Sequence, residues 1–301
     1  MTHTEIASLA GCFWRKSRAE KIQSLRYRFK TRVWNQLCPE IPLPARVSYG
    51  GWWLARNDAL SDAVFAQIFN GPEIKFLERV LEDGTTVIDV GAHLGFYTLL
   101  MSKRVGSRGR VVAFEPSPRE FRQLATHIRI NRCTNVQLEE LALADCAGFK
   151  EFFVVGAPWT TRNSLRPPRI DRVHSISTRI VTLDGYLDDK RIREVDLIKL
   201  DAEGAELTIF AGALRLLSRL RRPLILCEIN DPVIAECGWQ HRGADLIDFL
   251  EAKGFRWHAF NRDGSLRPIA RASSYCGDFV AVPEERMREV AVDIRGSGLS
   301  R

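Results

Sequence analysis

The sequence predicts an α/β protein built on a doubly wound, Rossmann-like, mostly parallel sheet with helices on both faces. Three observations lead there. Short apolar runs rich in β-branched residues alternate with helix-length amphipathic segments from residue 86 to residue 282. The first run, VIDV at 87–90, breaks into a glycine-bearing turn and then a helix. Two later runs, VDLIKL and PLILCEIN, carry carboxylates at or just beyond their carboxyl ends, the side of such a sheet where ligands bind.

In chain order, VSYGGWWLAR reads as a hairpin around Gly50-Gly51, and PEIKFLERVLEDG as a helix opened by Pro72 and stopped by Gly84. Strand 86–90, helix 95–104, strand 110–115, helix 117–131 and strand 136–143 follow. Residues 148–183 form a hairpin or excursion. Its segment GAPWTTRNSLRPPRIDR has the composition of a loop beside a ligand crevice, a lid or a substrate contact. Strand 195–200, helix 204–218, strand 223–229, helix 241–253 and strands near 255–260 and 277–282 complete the sheet, the last two as an antiparallel edge pair. Three regions result: a basic helical segment at 1–44, one domain at 45–283 (hairpin and helices at 45–84, core at 85–283), and a charged, frayed tail at 284–301.

The 301 residues are 45% apolar, enough for a sizeable core. Of the net charge of +7, +6 lies in the first 34 residues, so the basic character belongs to that segment. There Ile22, Leu25, Phe29, Val33 and Leu37 recur at helical spacing between basic residues. This is either a helix packed on the domain with its charges in water, or a basic amphipathic helix on an anionic surface, lipid or nucleic acid. The seven cysteines form no C-x-x-C pair, which points to reduced thiols in a cytosolic compartment. No apolar run approaches the roughly 20 residues that span a bilayer, and no signal peptide is visible. The expectation is a cytoplasmic protein, at most peripheral to a membrane.

The glycine turn departs from the dinucleotide fingerprint G-x-G-x-x-G, because His93 and Phe96 stand where its second and third glycines belong. The pattern is D-x-G-x-x-x-G, formed by Asp89, Gly91 and Gly95. A carboxylate before the turn opposes a pyrophosphate and suits an amine. Glu115 ends the next strand, where a carboxylate can accept hydrogen bonds from ribose hydroxyls. An amine, a ribose and no phosphate describe S-adenosylmethionine. Asp201 ends VDLIKL, Glu203 follows it, and Glu228 and Asn230 end PLILCEIN, so several carboxylates converge on one region. Such a cluster makes sense near a cation, a metal or a proton to be removed.

TTVIDVGAHLGFYTLL, VVAFEPSP, IVTLDGYL and DLIKLDAEGAELTIFAGAL followed by PLILCEI resemble, in order and spacing, the FkbM-type methyltransferases, over roughly residues 45–282. The resemblance implies a seven-stranded sheet of order 3-2-1-4-5-7-6 with strand 7 antiparallel. It implies S-adenosylmethionine as cofactor, held by Asp89, Gly91, Gly95 and the adjoining Tyr97, Thr98, Glu115 and Pro116. It implies a reaction centre of Asp201, Glu203 and Glu228, with His93 at a position where the family commonly has asparagine. The expected reaction is O-methylation of a sugar, glycolipid or polyketide-like hydroxyl, with Asp201 as first choice for the base. Mg²⁺ on Asp201, Glu228 and Asn230 is the alternative way to activate the hydroxyl. The rival readings are an RNA methyltransferase using the basic arm, against which no [DN]-P-P-[FYW] tetrapeptide occurs, and a non-catalytic interaction protein.

Overall fold

A computed structural model of the protein describes residues 29–30, 33–34, 36, 41–56, 60–61, 64, 71–156 and 160–290. Most of the basic N-terminal segment and the end of the charged tail lie outside the described residues. Strands β1 (Leu43–Arg46) and β2 (Trp52–Ala55) form the antiparallel hairpin expected around Gly50-Gly51. Helix α1 (Pro72–Val80) follows, with Pro72 in its first turn, where a missing N–H costs nothing.

The central sheet starts at β3 (Thr86–Val90), continues through helix α2 (Phe96–Val105) to β4 (Arg110–Phe114), and through helix α3 (Pro118–Ile130) to β5 (Val136–Glu139). The strand expected over 136–143 ends early. Residues Ala142–Leu143 leave the sheet as β6 and join a second, three-stranded sheet with the hairpin β7 (Gly148–Val155) and β8 (Val173–Val181). Helix α4 (Leu183–Asp189) leads back, capped by Thr182, whose side chain accepts from Gly185 N. Then come β9 (Leu197–Leu200), α5 (Glu206–Ala211), β10 (Leu224–Asn230), α6 (Asp231–Glu236), α7 (Gly243–Glu251), β11 (Phe255–Phe260), β12 (Leu266–Pro268) and β13 (Cys276–Pro283).

The sheet order is β12-β11-β13-β10-β9-β3-β4-β5, with β13 antiparallel to both neighbours. Seven of these strands reproduce the expected order. The eighth, β12, adds an antiparallel edge strand through the turn at Asn261–Ser265. β3 reads as an almost continuous apolar run because both faces of a parallel sheet are covered. Val87, Val111 and Leu197 pack into the core on one face, and Ile88, Val112 and Ile198 into the core on the other. The helix expected over 204–218 is broken. The Asp184 carboxylate accepts Arg215 N and Leu216 N, at 2.7 and 2.9 Å, and starts a separate 3-10 turn at Leu216–Ser218.

Residues 284–290, expected in the tail, pack on the domain. Arg286 is buried and donates to the carbonyls of Asp196 and Arg222. Cys133, Cys146, Cys227 and Cys237 are free thiols, but Cys276 is disulfide-bonded, which departs from the all-thiol expectation. Among the described residues no helix is long and apolar enough to cross a membrane.

Candidate active site

A cavity of about 460 Å³ opens at the carboxyl ends of β3, β4, β9 and β10. β13 runs the other way, so its first residues reach the same end: Asp278 is the cross-strand partner of Glu228. The second sheet closes the cavity from the side, through Phe152 and the turn Thr160–Arg162. The excursion thus contributes to the wall, as its composition suggested.

Gly91, His93, Tyr97, Glu115 and Pro116 line one half of the cavity. Asp89, Gly95 and Thr98 stand behind the wall. Asp89 is completely buried and accepts a 2.6 Å hydrogen bond from Thr98 Oγ1. Its Oδ1 has no hydrogen-bond partner, and burial raises its pKa. Gly95 is left-handed (φ +91°) at the start of α2, and a β-carbon there would come within 2.5 Å of Leu124 on α3. This second glycine therefore serves the packing of two helices.

Glu115 is tied to the turn. Its Oε2 accepts the backbone N–H of His93 at 2.8 Å, and its Oε1 that of Ser117 at 2.9 Å. Each oxygen retains acceptor capacity for a ligand hydroxyl. Burial pushes the Glu115 pKa up to about 8, against the lowering effect of those two donors. His93 adopts φ +50°, an uncommon backbone for a residue with a side chain. Burial depresses its pKa to about 4, so the ring is neutral, and its Nε2 is buried without a partner. An orphaned polar atom of this kind in a cavity wall is what a bound ligand would satisfy.

The other half of the cavity is acidic. Asp201, Glu203 and Glu228 bring carboxylate oxygens within 4.8 Å of one another. Asp201 and Glu228 share a hydrogen bond. Burial works against the charge of Asp201, but Lys199 and the bond from Glu228 bring its pKa below the usual range. Burial first, then the Asp201 charge, hold Glu228 well above that range. One carboxylate and one carboxylic acid side by side follow from this, because like charges so close cannot both ionise cheaply. Glu203, at φ +52°, faces Arg162 of the excursion at 3.4 Å, and Arg162 also bonds Glu236 at 2.7 Å. Burial raises the Glu203 pKa despite Arg162. Asn230 accepts from Val233 N as the cap of α6 and donates to Glu228 Oε1 at 3.3 Å.

Three charged wall residues escaped the sequence reading: Lys199, Asp278 and Arg162. Lys199 left a signal, because a lysine in the middle of LIKL is out of place in a strand buried on both faces. Asp278 left none without the antiparallel placement of β13, and Arg162 none without the fold of the excursion.

The topology and the ligand-end cavity place the protein among the doubly wound α/β proteins that bind a ligand across the carboxyl ends of their strands. Residues 89–257, over half of the chain, match the methyltransferase FkbM domain, and the chain belongs to that family. It is 24% identical over 190 residues to Methyltransferase 1 of Beauveria bassiana, covering 58% of this chain and 73% of that protein. Among solved structures it is similar to a SAM dependent methyltransferase from Aquifex aeolicus (17% identity, 70% of this chain and 88% of the other, TM-score 0.40). It is also similar to precorrin-6y C5,15-methyltransferase from Geobacter metallireducens (16% identity, 70% and 87%, TM-score 0.40).

Proposed function

We propose that the protein is an S-adenosylmethionine-dependent O-methyltransferase acting on a hydroxyl of a sugar, glycolipid or polyketide-like molecule. The observation that carries this reading is one cavity with two unlike halves. In one, a glycine turn and Glu115 offer acceptors for a ribose. In the other, Asp201 and Glu228 form a proton-accepting pair. The residues fit the cofactor: the orphaned His93 Nε2 and the spare acceptor capacity of Glu115 both lie on the wall a nucleoside would touch.

The bound cofactor would supply an electrophilic methyl group on a sulfonium. Glu115 and the turn would hold the nucleoside end of that cofactor. Asp201 would take the proton of the acceptor hydroxyl. The second sheet and Arg162 limit access of water from the side. In this reading the acidic cluster is balanced by Lys199, Arg162 and a shared proton, so it needs no Mg²⁺. Asn230 is also committed to the α6 cap.

The test is transfer of labelled methyl groups from S-adenosylmethionine to a panel of sugars, glycolipids, polyketides and RNA. Transfer to a hydroxyl compound supports the reading. Transfer to RNA alone, or no binding of the cofactor, removes it.

A further inference from the structure

The sequence leaves two readings of the basic N-terminal helix open, packed on the domain or lying on an anionic surface. They differ in where its apolar stripe goes. Residues 29–30 and 33–34 are helical. Phe29 and Val33, one turn apart on the same face, belong to that stripe and are 71% and 39% exposed. A stripe packed on the domain would hide both. Trp34 donates from Nε1 to the Ile41 carbonyl at 2.6 Å, which ties this turn to the chain just ahead of β1. Ile41 is exposed as well. In the hairpin that follows, Ala45, Trp53 and Ala55 are buried, while Arg46 and Trp52, partners across the two strands, are exposed. The Arg46 guanidinium lies 4.5 Å from the centre of the Trp52 ring, and Trp52 remains 47% exposed. Of the seven large apolar side chains exposed among the described residues, Phe29, Val33, Ile41 and Trp52 all fall on this stretch. Single exposed apolar residues are ordinary, but a group of them marks an interaction site. The charge around them is of one sign. Residues 41–56 hold Arg46 and Arg56 and no acid. Those two have no carboxylate partner among the described residues, nor has Lys103, whose Nζ reaches the Tyr49 carbonyl at 3.3 Å. The first 34 residues add their +6.

We propose that this stretch is a membrane-docking surface: Phe29, Val33, Ile41 and Trp52 enter the interface of an anionic bilayer, and the flanking cations hold its headgroups. Each part matches what that partner offers. An interfacial helix buries its apolar face at the headgroup and acyl boundary and keeps its basic face at the headgroups. Tryptophan favours the same depth, and an arginine over its ring brings a cation to that level. Every further cation near an anionic leaflet adds to the attraction. A second copy of the chain fits worse, because in a two-fold contact the patch meets itself and its cations face one another. RNA would draw on the cations but leave the aliphatic Val33 and Ile41 in water, and Arg46 already covers one face of Trp52. The surface stands apart from the methyltransferase reading, since none of these residues lines the cavity.

The experiment is co-sedimentation of the full-length protein with vesicles of phosphatidylcholine, alone or mixed with phosphatidylglycerol. The wild type sediments with the anionic vesicles, and added salt weakens this by screening the cations. Phe29→Ser combined with Val33→Ser lowers the partition about tenfold. Arg46→Gln combined with Arg56→Gln lowers it about fivefold for each charge removed. Both variants bind S-adenosylmethionine as the wild type does, so a wild type that binds no cofactor sinks the methyltransferase reading and leaves docking standing. A wild type that ignores anionic vesicles, or binds neutral ones equally well, overturns the proposal without any variant. So does a folded pair of variants that sediment like the wild type. Binding to RNA without binding to vesicles puts RNA in the place of the bilayer. A dimer that the Phe29 and Val33 substitutions dissolve, in a protein that ignores vesicles, puts a second copy there.

Discussion

A β-carbon on Gly91 would lie 1.8 Å from the main-chain carbonyl oxygen of Asp201. The first glycine of the turn is thus where two adjacent strands, β3 and β9, leave the sheet almost in contact. Its φ of +74° adds a second reason for glycine. The contact ties the turn to the residue proposed as base, so geometry at one end of the cavity depends on geometry at the other.

Gly91→Ala therefore lowers stability by about 2 kcal/mol or more, combining overlap with backbone strain. Gly84→Ala is the control. It has a similar φ of +97° but nothing within 4 Å of the added carbon, so its cost stays near ~1 kcal/mol. Urea denaturation of both variants checks the difference; equal losses would refute the contact argument.

Glu115→Ala removes the acceptor at the end of β4 and releases the N–H groups of His93 and Ser117. Affinity for S-adenosylmethionine falls by about 1–3 kcal/mol, the cost of leaving buried hydrogen-bonding partners unsatisfied. Titration calorimetry reads this directly. Undiminished affinity would mean that the ribose lies elsewhere.

Asp201→Asn keeps the size of the side chain and removes its charge. Methyl transfer to the acceptor identified by the panel drops about 10²–10⁴-fold, while cofactor affinity changes little. Added chelator leaves wild-type turnover unchanged, since the cluster is balanced by protein cations and a proton. Turnover abolished by chelator and restored by Mg²⁺ would replace the base with a metal.

Asp278 gives stability a pH dependence. Burial holds its folded-state pKa up to about 7, against about 3.9 for an unfolded aspartate. Between those values the unfolded chain has lost the proton that the folded protein keeps. The folded state binds more protons, so stability falls as pH rises through that window. Asp278→Asn removes this contribution. Its stability declines less from about pH 4 to about pH 7 than that of the wild type, by about 1–2 kcal/mol, a fraction of the full shift because the side chain is only partly buried. Denaturation at the two ends of the window measures the difference. Parallel curves for variant and wild type would show that Asp278 is ionised in the folded protein.

The sequence by itself determined the sheet and the direction in which the site faces. Alternating apolar runs and amphipathic segments are local patterns, and burial on both faces makes parallel strands legible as continuous apolar runs. Strand order came with the family resemblance of the turn and K-x-D-x-E-G-A-E motifs. Asp201, Glu203, Glu228, Glu115 and His93 were legible because each ends a strand or lies in the turn just beyond one, and all five line the cavity. Tertiary structure decided the rest. It turned residues 142–143 into a second sheet through pairing with residue 180 and its neighbour, a contact far along the chain. It ended the helix at Ala211, started a separate turn at Leu216 on a carboxylate from α4, and placed Asp278 beside Glu228 by running β13 backwards. It also put Asp89 and Gly95 behind the cavity wall and the ammonium of Lys199 between two carboxylates. A spacing rule reads which residues share an element, but charge pairing and close backbone approach depend on distances between elements, and only packing sets those.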